Sequence, residues 1–369
     1  MKKILTLFLL IASLFFSCNV SENKEKKVLT GIPLNIEEDI SLSLSIIAEK
    51  IETIELEETE ESMINPDRIQ RILISDDNVI LAEFRKVLIF NRNGKFVCSV
   101  GRRGQGPGEF NVGIFNIAID EKNKYLFLNT TSKIICYDLT GKFLREIALN
   151  MIEDIIFINN ELLVFSSNME INDSNAFITR SIIYKLNNEL QITDSITVQD
   201  TYFEQRPEEI LVVSEFFIRE DTLVSAFYAN NYFEKGKPLL YDTLYSLKNN
   251  CLIPELKLDI KNNGIDSNGN LFIIISNIYR SSRYIFANYN DKTQKGMGYQ
   301  GYHFCYDSKT EKGYNVKDGF TDDINKIDKP IKIRPFNHDT EMFYYLHTHI
   351  KPDDLEEPNP TLYIGKLKK

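Results

Sequence analysis

Beyond residue 50 the chain is a succession of short alternating apolar runs broken by Asn, Asp and Gly, the pattern of strands joined by tight turns. One motif recurs. FNRNGKF begins at Phe90, YDLTGKF at Tyr137, YKLNNEL at Tyr184, YSLKNNC at Tyr245, YDSKTEK at Tyr306 and YIGKLKK at Tyr363, at steps of 47, 47, 61, 61 and 57 residues. Each is an aromatic residue ending one strand, a polar turn, and a second strand. A period near fifty in an all-β chain predicts a propeller with one blade per anchor. The first unit parses into four strands, RIQRILI, NVILAE, KVLIFNR and KFVCSV, and NIAID, KYLFLN, KIICYD and KFLREIAL repeat the scheme in the second. The last unit stops soon after Tyr363 and lacks a fourth strand, which would leave an unpaired edge. A spare strand, IETIELE at residues 51–57, precedes the first blade and could fill the gap. The expectation is an all-β, six-bladed β-propeller over residues 41–369, its last blade closed by an N-terminal strand. Seven blades, or a separate N-terminal hairpin built from VLTGIPLNI, are the alternatives.

The stretches ISDDNVILAEF, VLIFNRNGKFVCSVGRRGQGPGEF, IAIDEKNKYLFL and CYDLTGKFLREI resemble the six-bladed β-propeller lipoproteins of Gram-negative envelopes, themselves similar to NHL-repeat propellers. The lead-in SIIAEKIETIELEETEESMI and the late KDGFTDDINKIDKP share the likeness. It is specific over residues 40–150 and weaker from 150 to 369. The resemblance implies an architecture and an envelope location; it implies no reaction, because fold does not fix function.

The N-terminus agrees with export. MKKILTLFLLIASLFFSC has two lysines, a short apolar run and a small residue before Cys18, and the run is too short to span a bilayer comfortably. It resembles a bacterial lipoprotein signal, with residues 1–17 removed and Cys18 acylated, although Phe15 stands where leucine is usual. An ordinary cleaved signal with an incidental cysteine is the other reading. Residues 18–40 would then be the lipidated cysteine and a polar tether, attached to the outer membrane and facing the periplasm or the medium. Removing Lys2 and Lys3 takes the net charge from −10 to −12, a poor match for nucleic acid or for anionic lipid headgroups. The membrane is therefore expected to be met through the lipid anchor alone. Cys98, Cys136, Cys251 and Cys305 fit neither a metal pair nor a disulfide scaffold and are read as buried free thiols on strands.

The glycine-rich GRRGQGPGEF, residues 101–110, raises a phosphate-loop question and answers it against. It lacks GxxxxGK[ST], and strand-like sequence follows it where a helix N-terminus would be needed. It reads as the crossing from the outer strand of blade 1 to the inner strand of blade 2, with Arg102 and Arg103 as ligand-contact candidates. Turns of the first-to-second and third-to-fourth kind are short (SDDN, DEKN, NRNG, LTG), and the other face carries the long connections. Those bear Tyr202, Tyr232 and Tyr299 among acidic residues such as Asp322, Asp323, Asp353 and Asp354. Loops of such length are usually functional, so this face is expected to bind a partner: a peptide, glycan or protein of the envelope.

Chemistry is sparse. His347 and His349 stand on one side of a strand and could present two imidazoles to a metal, with His338 at the opposite end. The Asp pairs could hold calcium, the one cofactor to consider; DSNGN at 266–270 lacks the glutamate that would complete a calcium loop. HExxH and GxSxG do not occur. Asp-Ser/Thr-apolar triplets at 194, 221 and 242 resemble an envelope glycosylation sequon. The expectation is a binding module without catalysis. The rival is a propeller hydrolase or lyase on a glycan, with carboxylates and calcium at the channel mouth.

Overall fold

The computed structural model describes residues 29, 31–34, 39–171, 177–203, 215–219, 222–225, 242–260, 272–291, 300–350 and 358–369, and within them six sheets form a six-bladed β-propeller. Blade 1 consists of Ile69–Ile74, Asn78–Glu83, Lys86–Asn91 and Phe96–Val100, and blade 2 of Asn116–Asp120, Tyr125–Asn129, Lys133–Asp138 and Phe143–Ala148. Blade 3 runs Ile152–Ile158, Glu161–Ile171, Phe177–Leu186 and Ile192–Phe203; blade 4 runs Phe217–Arg219, Thr222–Ser225, Thr243–Lys248 and Cys251–Asp259. Blade 5 comprises Ile273–Arg280, Tyr284–Asp291, Gln300–Asp307 and Lys312–Lys317. Blade 6 comprises Arg334–Phe336, Asp339–His347 and Thr361–Leu367, completed on its outside by Ala48–Glu55 from the other end of the chain.

Side-chain alternation explains why the middle strands are apolar almost throughout. In blade 1, Val79, Leu81, Leu88 and Phe90 face blade 6 and pack with Leu362 and Ile364. The intervening Ile80, Ala82, Val87 and Ile89 face blade 2 and pack with Leu126, Leu128 and Ile135. Each sheet is buried on both faces by its neighbours, so both halves of the period-2 pattern must be hydrophobic.

The repeat motif has a physical core in its turn. Asn91 accepts from the amides of Asn93 and Lys95, and Asp138 from those of Thr140 and Lys142. Gly94 and Gly141 supply the left-handed residue, at φ 77° and 86°. A Cβ on Gly94 would also lie 1.9 Å from the carbonyl oxygen of Glu55, so the first turn and the closing strand fit only through a glycine. In blade 3 the equivalent turn begins at Asn187, which accepts from Glu189 and Gln191, with Leu190 at φ 59°. The repeat there is centred on Leu186 and Asn187 rather than on Tyr184.

The two chain ends lock together in blade 6. Thr53 pairs with Tyr363 and Ile54 with Leu362, antiparallel. The Asn359 side chain ties the joint, donating to the carbonyls of Glu57 and Ser62 while accepting from the Ile64 amide. A seventh blade does not form among the described residues, nor does a hairpin from VLTGIPLNI. Gly31–Pro33 lies parallel on Lys257–Asp259 at the rim of blade 4, and Asp39–Ile40 parallel on Asn315–Val316 at the rim of blade 5. The expected tether thus contributes edge strands ahead of residue 41. A short helix, Leu44–Ile47, buries Leu44 and Ile47 before the chain enters blade 6. This strap covers two edges that would otherwise present free backbone groups.

The crossing from blade 1 to blade 2 lies where expected, with Arg102–Arg103 and Glu109–Phe110 as a small parallel pair. Its amides already have anionic partners: Gly106 donates to Glu109 and Gly108 to Glu146, both at 3.0 Å. A phosphate has no free cradle there. All four cysteines beyond Cys18 lie on strands as free thiols; Cys136 and Cys305 are buried, Cys98 is half-buried and Cys251 is exposed.

Closure by an N-terminal strand makes two truncations diverge. Deleting residues 48–55 should abolish the single cooperative melt, while deleting residues 19–27 should move the midpoint by less than ~2 °C. Equal melts for the two truncations would overturn the closure.

Candidate functional site

The inner strands bring polar side chains to the axis, where they bond to one another. Arg71 on the inner strand of blade 1 lies 3.5 Å from Asp154 on that of blade 3, and both are buried. Asp154 also accepts from the Phe216 amide at 2.6 Å and from the Ile155 amide at 2.7 Å. Asn277 of blade 5 donates to Glu215. Asn337 of blade 6 donates through its side chain to the Phe216 carbonyl, and its own carbonyl accepts from Ile218 at 2.6 Å. Blades 4 and 6 therefore meet directly across the axis, and the polar groups there are partners of one another.

Burial pushes the Asp154 carboxyl up to about 6, against the opposing pull of Arg71, and pushes its neighbour Glu153 up to about 8. One Glu153 oxygen has no hydrogen-bond partner. None of the four histidines bonds to these carboxylates among the described residues. His303 pairs with Asn288 inside blade 5, and burial holds it down at about 4. His338 packs on Phe336 at the short-turn end of blade 6. His347 and His349 lie together at the long-loop end, ring centroids 4.6 Å apart, and His349 bonds the Tyr363 hydroxyl at 2.8 Å.

The long-loop face differs from its opposite. Val112 and Phe115 in the first crossing, Met151 in the second, Met63 in the lead-in to blade 1 and Ile350 in the connection between the second and third strands of blade 6 are all exposed there. Among the described residues the other exposed large hydrophobics are Ile46 on the strap, Ile324 on a hairpin of the last crossing, and Val97, Ile192 and Ile253 on outer strands. The short turns carry none. Two hollows open on the long-loop face and share Thr348 as a common wall. One, of about 800 Å³, is lined by the lead-in segment and the Arg85–Lys86 turn of blade 1. The other, of about 460 Å³, lies between the last crossing and the His347–Ile350 segment.

The residues singled out from sequence distribute unevenly. Arg102 is exposed and paired with Glu109 at 2.9 Å, while Arg103 reaches the Asn111 carbonyl at 3.4 Å. Asp322 is buried, accepting from the Tyr345 hydroxyl at 2.6 Å and from the Asn325 amide at 2.8 Å. Asp323 holds the strap by accepting from the amide and the hydroxyl of Ser45. Both carboxylates thus serve the joint between blades 5 and 6, and no group of three or more His, Cys, Asp or Glu among the described residues is arranged to hold a metal. Tyr202 sits within the extended outer strand of blade 3, opposite Ile178, rather than in a crossing loop. Cys18, Tyr232, Tyr299, Asp353, Asp354 and DSNGN lie outside the described residues. Of the glycosylation-like triplets, Ser195 is exposed, whereas the Thr243 hydroxyl is held by Asp242.

Over residues 29–368 the sequence matches a family described as a domain of unknown function, DUF4934. The chain belongs to that family. The matched span takes in the strap and the closing strand with all six blades, so the family unit is the closed propeller. No functionally curated protein matches the sequence. Among solved structures, a candidate exported protein of Bacteroides fragilis NCTC 9343 is similar over 92% of this chain and 100% of its own, with a TM-score of 0.59 and 15% identity, a likeness of fold. A protein of unknown function from Bacteroides caccae covers 76% of this chain and 86% of its own at 13% identity and a TM-score of 0.36. The WD40 domain of Neurospora crassa Pan2 covers 82% of this chain and 76% of its own at 11% identity and 0.41. No helix among the described residues is long and apolar enough to cross a membrane.

Glu153 supplies a test of the buried axis. The folded protein keeps its proton until about pH 8, whereas the unfolded chain releases it near the ordinary glutamate range. Unfolding therefore releases a proton between these values, and this residue's contribution to stability falls as pH rises through the window. Glu153→Gln should gain on the parent between pH 5 and pH 8, by more than about 1.4 kcal/mol at the upper end, the worth of one pKa unit. A constant difference in melting temperature across that range would show that Glu153 is not held neutral.

Proposed function

We propose that the protein is an exported, lipid-anchored propeller that binds or scaffolds an extracytoplasmic partner through its long-loop face. The carrying observation is the one-sided placement of exposed apolar side chains, Val112, Phe115, Met151, Met63 and Ile350, opposite a face of short self-satisfied turns. Exposed apolar groups gathered on one face mark interaction surfaces. Export is supported by the MKKILTLFLLIASLFFSC signal and by the export ascribed to the Bacteroides fragilis protein that shares the fold. A hydrolase or lyase with carboxylates at the channel mouth needs accessible acids beside a histidine. Of the described axial acids, Asp154 is instead buried and bonded to Arg71 and backbone amides, and the half-buried Glu215 accepts from Asn277, which favours binding over catalysis.

Two measurements test the reading. Val112→Asp and Met151→Asn, the latter compatible with the residue's φ of 51°, should each weaken capture of an envelope partner by about 2 kcal/mol if central, with melting temperatures unchanged. Asp76→Ala in a short turn should leave capture intact, and a partner held by the short-turn face would overturn the proposal. Separately, Cys18→Ala should move the mature protein from the membrane fraction to the soluble fraction. A mutant that stays with membranes, beside a parent that carries no lipid, would refute the anchor.

A further inference from the structure

The two hollows that share Thr348 form one groove across the boundary of blades 1 and 6, and its lining is cationic in a chain of net charge −10. Arg68, Arg85 and Lys86 line one end, Lys326 and Lys329 the other. Elsewhere, basic side chains are repeatedly matched with carboxylates, as in Arg71–Asp154, Arg92–Glu52, Lys133–Glu146 and Arg283–Asp307. None of the five groove cations has a carboxylate partner among the described residues; Lys86 donates to the Met63 carbonyl. The acids that share the lining do not offset them by contact. Glu83 is buried and turned to the Asn65 amide, and Asp67 and Asp328 are exposed and make no ion pair among the described residues.

Two more properties narrow the ligand. Met63 and Ile350, at 43% and 63% exposure, put apolar surface among the cations. The backbone of Thr348, His349 and Ile350 leaves the blade 6 sheet after His347 and makes no hydrogen bond among the described residues, so it offers a short row of donors and acceptors on the groove wall. Among the described residues neither hollow is lined by Phe or Tyr, and the chain has no Trp; the rings in the lining are the imidazoles of His347 and His349, packed edge to face on each other, and no Phe, Tyr or Trp platform is presented for a sugar ring. Free backbone donors and acceptors, apolar contacts and unmatched cations together are the complement of an extended polypeptide.

We propose that this groove binds an extended acidic segment of another polypeptide, its carboxylates meeting Arg68, Arg85, Lys326 and Lys329 and its apolar side chains meeting Met63 and Ile350. The assignment rests on the binding reading given above and adds the class of partner. Exposed unmatched cations lose little on meeting a carboxylate and set both the encounter rate and the salt dependence.

The test uses the mature protein and three labelled probes in fluorescence anisotropy: an octapeptide alternating Glu and Leu, its Gln and Leu isostere, and an oligouronate. The Glu peptide should bind, with affinity falling on the order of tenfold between 50 and 200 mM salt and on the order of tenfold in R68E/R85E or K326E/K329E, at unchanged melting temperature. The Gln isostere and the oligouronate should bind far more weakly. Should a double variant fail to fold, R85E alone with the salt titration of the parent gives the same readout. The proposal is overturned if the Glu peptide does not bind, if its binding ignores both charge reversals, or if the oligouronate is preferred. Partner capture that survives both reversals but is lost in Val112→Asp and Met151→Asn would overturn the groove assignment and leave the loop-face reading standing.

Discussion

A sheet whose two faces are both apolar has no stable boundary with water; it must be followed by another sheet until the row meets its own beginning. In this chain that meeting depends on one antiparallel pairing, Ala48–Glu55 against Thr361–Leu367, made between segments some three hundred residues apart in sequence. Without it blade 6 would end in an open edge, and the cluster joining Leu362 and Ile364 to Val79, Leu81 and Phe90 would lose part of its cover. The joint is reinforced locally, by the Asn359 side chain bridging Glu57, Ser62 and Ile64 and by Gly94, whose missing Cβ leaves room for Glu55. Non-local closure of this kind carries a large loop-entropy cost, and the clusters between successive blades offset it.

The architecture was legible in the sequence where local chemistry and tertiary demand agree. Blades 1 and 2 could be parsed strand by strand because Asn91 and Asp138 build turns from their own side chains and glycine supplies the left-handed residue. Blade 3 uses the same turn with Leu190 in that position, and with no glycine to mark it the aromatic Tyr184 is the more visible feature of the sequence there. The strap is hidden in the sequence for a different reason. Pairings of three and two residues are shorter than any alternation a sequence can display, and their partners lie more than two hundred residues away. Asp322 and Asp323 looked like solvated loop acids, yet tertiary partners from Tyr345 and Ser45 turned them into structural ties.

The axial network leaves a faint signal in the sequence. RIQRILI and IEDIIFI are inner-strand runs in which a charged residue interrupts apolar ones, and Arg71 and Asp154 turn out to be each other's counter-ions across the centre. Buried charges are costly unless paired, so such an interruption asks for a partner in another strand. Among the described residues the polar groups at the centre are largely taken up by one another, so the groups left open to solvent lie at the periphery of the long-loop face. There, backbone, apolar and cationic groups are held by the ends of rigid strands.

The strap has a mechanical reading. Chain pulled from ahead of Gly31 would first load the three-residue pairing on blade 4, then the two-residue pairing on blade 5 and the Ser43–Thr321 bridge, before any tension reached the eight residues of the closing strand. The weak attachments therefore stand in series ahead of the strong one. They can yield and re-form while the ring stays shut, so a protein tethered by its N-terminus would lengthen its leash under strain before it began to unfold.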